Sequence, residues 1–210
     1  MSVELYIFPE YARERLENRG IDLNDPSQIL PLLNPESDPR DLVAALTLIR
    51  AHEFPQALEA AKNLVFHRIS QVRSGGLATV ARILKEDGSE YYAEVMGHPH
   101  FREKSAAVMA IRKYGNEICV PQMVNRLRQM ISTRRGRPYL TNTGESDLTF
   151  CIDFLRRFAD RHDVQRVFRR LVDKWDMLDP QEQRWITGNV PYFDHPDLKN
   201  TEQDIAPNDR

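Results

Sequence analysis

The sequence is short of the residues that build most recognisable sites. It has only two cysteines in 210 residues, Cys119 and Cys151. Neither belongs to a CxxC pair, and both fall in apolar helical patterns. That predicts two buried free thiols in a reducing compartment. No apolar run approaches the roughly 18 residues that a membrane span needs, which excludes a transmembrane helix. No basic stretch precedes an apolar one at Met1-Ser2-Val3-Glu4-Leu5. A secretory signal is therefore not expected, and a cytoplasmic location is. HExxH, GxSxG and GxxxxGK[ST] are all absent, so no catalytic or cofactor signature stands out. On this reading no cofactor or metal is expected.

What the chain does have is helical periodicity. Pro9 to Arg19 reads as a short helix stopped by Gly20. Ile21 to Pro39 contains Pro26, Pro31, Pro35 and Pro39 and reads as a loop with one short helix at Ser27 to Leu33. Asp38-Pro39 then opens a helix whose buried stripe is Leu42, Ala45, Leu46 and Ile49. Pro55 starts its partner, with Leu58, Ala61, Leu64 and Val65 on one face. Leu77, Val80, Ala81 and Leu84 mark a third helix, for which Asp87-Gly88 offers a left-handed cap. Tyr91 to Met96 forms a short helix stopped by Gly97 and Pro99. Further stripes follow: Val108, Ile111 and Tyr114; Val120, Met123, Val124 and Leu127; Cys151, Phe154, Leu155 and Phe158; Val164, Val167, Phe168 and Leu171. Asp179-Pro180 opens a last helix with Trp185 and Ile186. The expected organisation is a helical lead-in over 1–38, a repeat array over 39–193, and an acidic, disordered tail over 194–210.

An internal repeat supports the array. Shifted by 44 residues, Ile111 meets Leu155, Tyr114 meets Phe158, and Gly115-Asn116 meets Ala159-Asp160. In the same register Val120, Met123, Val124 and Leu127 meet Val164, Val167, Phe168 and Leu171. The segment from Arg102 to Leu127 resembles a HEAT repeat of the HEAT-like and armadillo-type superfamily. Ala106, Ala107, Ala110 and Ile111 stand where the family has small residues and an Ala-Leu pair. Gly115-Asn116 stands at its turn, and Val120-Pro121 at the opening of its second helix. The hairpins at 147–175 and 40–66 are similar in outline. Residues 67–97 depart from the pattern, with Gly75-Gly76 and a short second helix. The resemblance implies an all-α, right-handed solenoid of about four to five hairpins with a divergent N-terminal cap.

Such stacks usually bind macromolecules. In HEAT stacks the second helices line the concave surface, which here implies a polar, arginine-containing ridge. Gln122, Asn125, Arg126 and Gln129 come from one second helix. Arg166, Arg169 and Arg170 come from the next, and Arg134, Arg135 and Arg137 from the segment between the hairpins. Residues 101–175 hold 16 Lys/Arg and 8 Asp/Glu, in a chain of formal charge −2. Guanidinium groups suit carboxylates and phosphates, so the expected partner is a protein, with an immunity or inhibitor role as one form. The alternative is nucleic-acid binding, or DNA repair of the HEAT-like glycosylase kind, with Trp175, Asp176 and Trp185 as its candidates. The same arginines have Asp147, Asp153, Asp160 and Asp163 close in sequence for internal salt bridges. His98-Pro99-His100 lacks further metal ligands. His52-Glu53 is a single pair where deoxyhypusine hydroxylases use several to hold iron. Bilin lyases share the repeat and nothing else here.

Overall fold

A computed structural model describes residues 9–132 and 145–190. Among these residues every regular element is helical and none is a strand. In chain order the helices are α1 (Pro9–Glu17), α2 (Pro26–Ile29), α3 (Pro39–His52), α4 (Leu58–Leu64), α5 (Ser70–Leu84) and α6 (Ser89–Gly97). There follow α7 (Lys104–Tyr114), α8 (Val120–Ser132), α9 (Asp147–Leu155), α10 (His162–Asp173) and α11 (Pro180–Asn189). They form two compact units divided between Cys119 and Val120. The division falls between the two helices expected to form one hairpin over 102–127, so α7 belongs to the first unit and α8 to the second.

The first unit is built around α3. Asp38 caps this helix by accepting from Arg40 N at 2.8 Å, and Pro39 supplies the fixed φ of its first turn. Every residue from Asp41 to Ile49 is buried. The expected stripe of Leu42, Ala45, Leu46 and Ile49 is therefore only part of a helix enclosed on all sides. The one charge among them, Asp41, is held by Arg15 at 2.7 Å and by Arg19, both from α1. A buried carboxylate needs such partners.

Helix α3 packs on α5, and α5 on α7, while α4 and α6 return the chain. Ion pairs fix the directions. At one end, Arg73 in the first turn of α5 pairs with Glu103 just before α7. At the other, Glu53, just past α3, pairs with Arg82 in the last turn of α5 at 2.6 Å. Arg82 also donates to the Tyr114 hydroxyl at the end of α7, at 3.5 Å. Like ends meet like ends, so α3, α5 and α7 run parallel.

Two glycine positions and one lysine revise the sequence reading here. Gly75 and Gly76, at which the sequence departs from the repeat pattern, both lie within α5. A Cβ at Gly76 would stand 3.0 Å from the Ala61 carbonyl oxygen of α4, so glycine lets the two backbones approach. The left-handed cap expected at Gly88 is not there, since Gly88 has φ −84. The positive φ falls instead on Lys85, at φ 51. Gly88 serves packing: a Cβ there would land on the Tyr92 phenol. The Tyr92 hydroxyl donates to the Lys85 carbonyl at 2.7 Å and so satisfies the end of α5.

In the second unit, α8 packs on α9 and α10, and α11 packs on α9. Ser146 caps α9 and Asp179 caps α11, each in a reciprocal capping box. Ser146 Oγ also donates to Glu182 Oε1 at 2.5 Å, which joins the two helix N-termini. Glu182 is fully buried. At the other ends, Arg156 donates to the Asn189 carbonyl at 2.6 Å. Helices α9 and α11 are thus parallel. Arg170 of α10 reaches Ser132 at the end of α8, so the C-terminal ends of these two packed helices meet. The repeated stripes behave as expected: Val120, Met123, Val124 and Leu127 are buried, and so are Val164, Val167, Phe168 and Leu171. Both cysteines are free and buried. The expected tail over 194–210 lies outside the described residues.

Candidate binding face

The buried stripes of α8 and α10 decide what the same helices show to solvent. With 3.6 residues per turn, positions 122, 125, 126 and 129 turn away from the stripe on α8. Positions 166, 169 and 170 do so on α10. Asn125, Gln129, Arg166, Arg169 and Arg170 are exposed. Gln122 and Arg126 are half-buried. Arg134, Arg135 and Arg137 lie outside the described residues.

The structure sorts these residues by what each already holds. Arg126 donates to Asp147 Oδ2 at 3.3 Å, at the start of α9. Its Nε, and Gln122 Oε1 one turn earlier, are buried polar atoms without a hydrogen-bond partner among the described residues. An unsatisfied buried group costs about 1–3 kcal/mol. Arg166 Nη2 lies 3.4 Å from His162 Nδ1 on its own helix. Arg170 Nη2 donates to the Ser132 hydroxyl at 2.8 Å. Arg169 makes no polar contact among the described residues.

Three nearby carboxylates are engaged by other arginines, and the exposed Asp160 and Asp173 make no ion pair with Arg166, Arg169 or Arg170. Asp147 holds Arg126. Asp153 holds Arg156 at 2.7 Å. Asp163 takes both Arg161 Nε and Nη2 at 3.1 Å. Those hydrogen bonds hold its carboxyl below the ordinary value of 3.8, despite some burial. Asp160 is exposed on the turn before α10. Arg166, Arg169 and Arg170 thus form no ion pair with any described residue. Two contributors, Ser132 and His162, were missed in the sequence. Ser132 sits three residues after Gln129, so its position on the outer face of α8 could have been read from periodicity.

Other sequence candidates do not assemble. His98 and His100 have ring centroids 5.6 Å apart, and His98 packs edge-on against Phe66 at 4.7 Å. His52 stacks on Phe54, and Glu53 is held by Arg82 and Lys85. Among the described residues no group of three or more His, Cys, Asp or Glu is placed to hold a metal. Trp175 and Trp185 are half-buried rather than core residues, and Asp176 is exposed. Cys151 is enclosed, and burial pushes its thiol well above the ordinary range. That disfavours the reactive thiolate. No described helix is long and apolar enough to cross a membrane.

No family model matches the chain, and neither a curated protein nor a solved structure does.

Proposed function

We propose that the chain is a HEAT-like interaction module that binds an acidic protein surface through α10 and the adjoining face of α8. The single observation that carries this reading is the unneutralised charge of Arg166, Arg169 and Arg170. Asp147, Asp153 and Asp163 are bound to other arginines, and the exposed Asp160 and Asp173 form no ion pair with these three, so their guanidinium groups remain available to a partner. The parallel packing of alternate helices within each unit supports the HEAT-like part of the reading.

The extent of the charge favours a protein over nucleic acid. From Arg166 to Arg170 the ridge is roughly 6 Å long at 1.5 Å per residue. Asp160 and Asp163 precede it, and Asp173 and Asp176 follow it. A long polyanion would meet repulsion at both ends, whereas duplex binders commonly neutralise several phosphates in a row. Single strands are usually held by stacking on aromatic rings. The described part of the second unit exposes one large apolar side chain, Met177, and it is not aromatic.

The reading can be tested by fluorescence anisotropy with labelled polyglutamate and a labelled DNA duplex at low and at physiological ionic strength. Polyglutamate binding should weaken about tenfold in the Arg166→Ala, Arg169→Ala, Arg170→Ala variant. Equal binding by that variant, or a preference for the duplex, overturns the proposal.

A further inference from the structure

We infer that the ligand of this face is an α-helix with two side-chain rows, one acidic and one of amides or hydroxyls. The inference rests on the proposed function and specifies the partner. Arg166 and Arg170 stand four residues apart on α10, and Asn125 and Gln129 four apart on α8. All four are exposed. Residues so spaced on a helix have Cβ atoms about 5–6 Å apart. The two helices pack together with their C-terminal ends adjacent, so the two pairs form neighbouring rows of the same repeat on helices whose axes lie roughly 8–10 Å apart.

The chemistry of the rows differs. Arginine offers donors only, so its row takes carboxylates. Asparagine and glutamine both donate and accept, so their row takes amides or hydroxyls. An extended peptide sends alternate side chains to one face in a single line. It can meet one row but not both. A helix carries an i, i+4 row beside an i+3, i+7 row, the same pattern as the receiving face. A helix also needs no backbone hydrogen bonds from its receptor. The central turns of α8 and α10 can supply none, because their own backbone groups are paired within the helices. Arg169, adjacent to Arg170 and without a polar partner among the described residues, adds a third donor toward the acidic row.

The test uses the full chain and two synthetic helices stapled to equal helicity. One carries Glu at i and i+4 with Gln at i+3 and i+7. The other has the same composition with these positions permuted. Side-chain NMR signals of Arg166, Arg169, Arg170, Asn125 and Gln129 are followed during titration. The patterned helix should move both the arginine and the amide signals, and bind at least about threefold more tightly than the permuted one. Equal affinities, or movement of the arginine signals alone, would overturn the two-row inference and leave the acidic-partner reading standing. If neither helix moved the arginine signals, the acidic-partner reading would fall as well.

Discussion

Single residues in this chain carry identifiable strain and charge. Lys85 has φ 51 and ψ −131, a region that side-chain-bearing residues rarely adopt. Its compensation is an exposed ion pair with Glu53 at 3.6 Å, and such pairs contribute under about 1 kcal/mol. Lys85→Gly should therefore raise stability by about 1 kcal/mol in urea denaturation. A loss of stability would show that the pair outweighs the strain. Glu103 makes the stability of the first unit depend on pH. Burial raises its carboxyl, but hydrogen bonds from Arg73 and Ser70, together with the Arg73 charge, bring it below its ordinary 4.5. The unfolded chain takes up this proton more readily. The stabilisation is thus complete above pH 4.5 and lost as pH falls through the lowered folded value. Glu103→Gln should flatten the fall in stability of the first unit below that pH. An unchanged acid limb would assign the fall to other carboxylates.

At the scale of elements, the N-termini of α9 and α11 depend on one serine. Ser146 Oγ accepts from Thr149 N and donates to the buried Glu182. Ser146→Ala should cost the second unit about 2 kcal/mol, from a lost cap and a carboxylate short of one donor. A change within about 0.5 kcal/mol would mean that the other partners of Glu182, among them the Asp179 N–H, hold it without the serine. Elements of this kind were largely legible beforehand. The stripes of α8 and α10, the Asp38-Pro39 start and the Asp179-Pro180 start all follow from local periodicity and capping, which sequence encodes directly. Features set by distant neighbours were not. Gly75-Gly76 reads only as a departure from the repeat pattern until α4 is seen against α5. A glycine is the natural site for positive φ, yet Tyr92 packs over Gly88 and the turn falls on Lys85. The outer positions of α10 could be read from its stripe. Which aspartates Arg126, Arg156 and Arg161 would take could not, because side chains alone decide it.

At the scale of the whole molecule, the basic middle of the sequence does not survive as one feature. The first unit takes 14 of the 29 Lys/Arg and 17 of the 31 Asp/Glu, leaving 15 and 14 in the second. The second unit is nearly neutral. Its arginine face therefore reflects local placement rather than a general excess of charge. A local face predicts a specific partner, with binding concentrated in a few side chains. A diffuse basic surface predicts weak, sequence-blind attraction to any polyanion. The most direct measurement is affinity capture from the native host on the immobilised full chain and on its Arg166→Ala, Arg169→Ala, Arg170→Ala variant, quantified by mass spectrometry. The account predicts an acidic protein captured by the native chain and lost on the variant. Capture of that protein equally by both would contradict it.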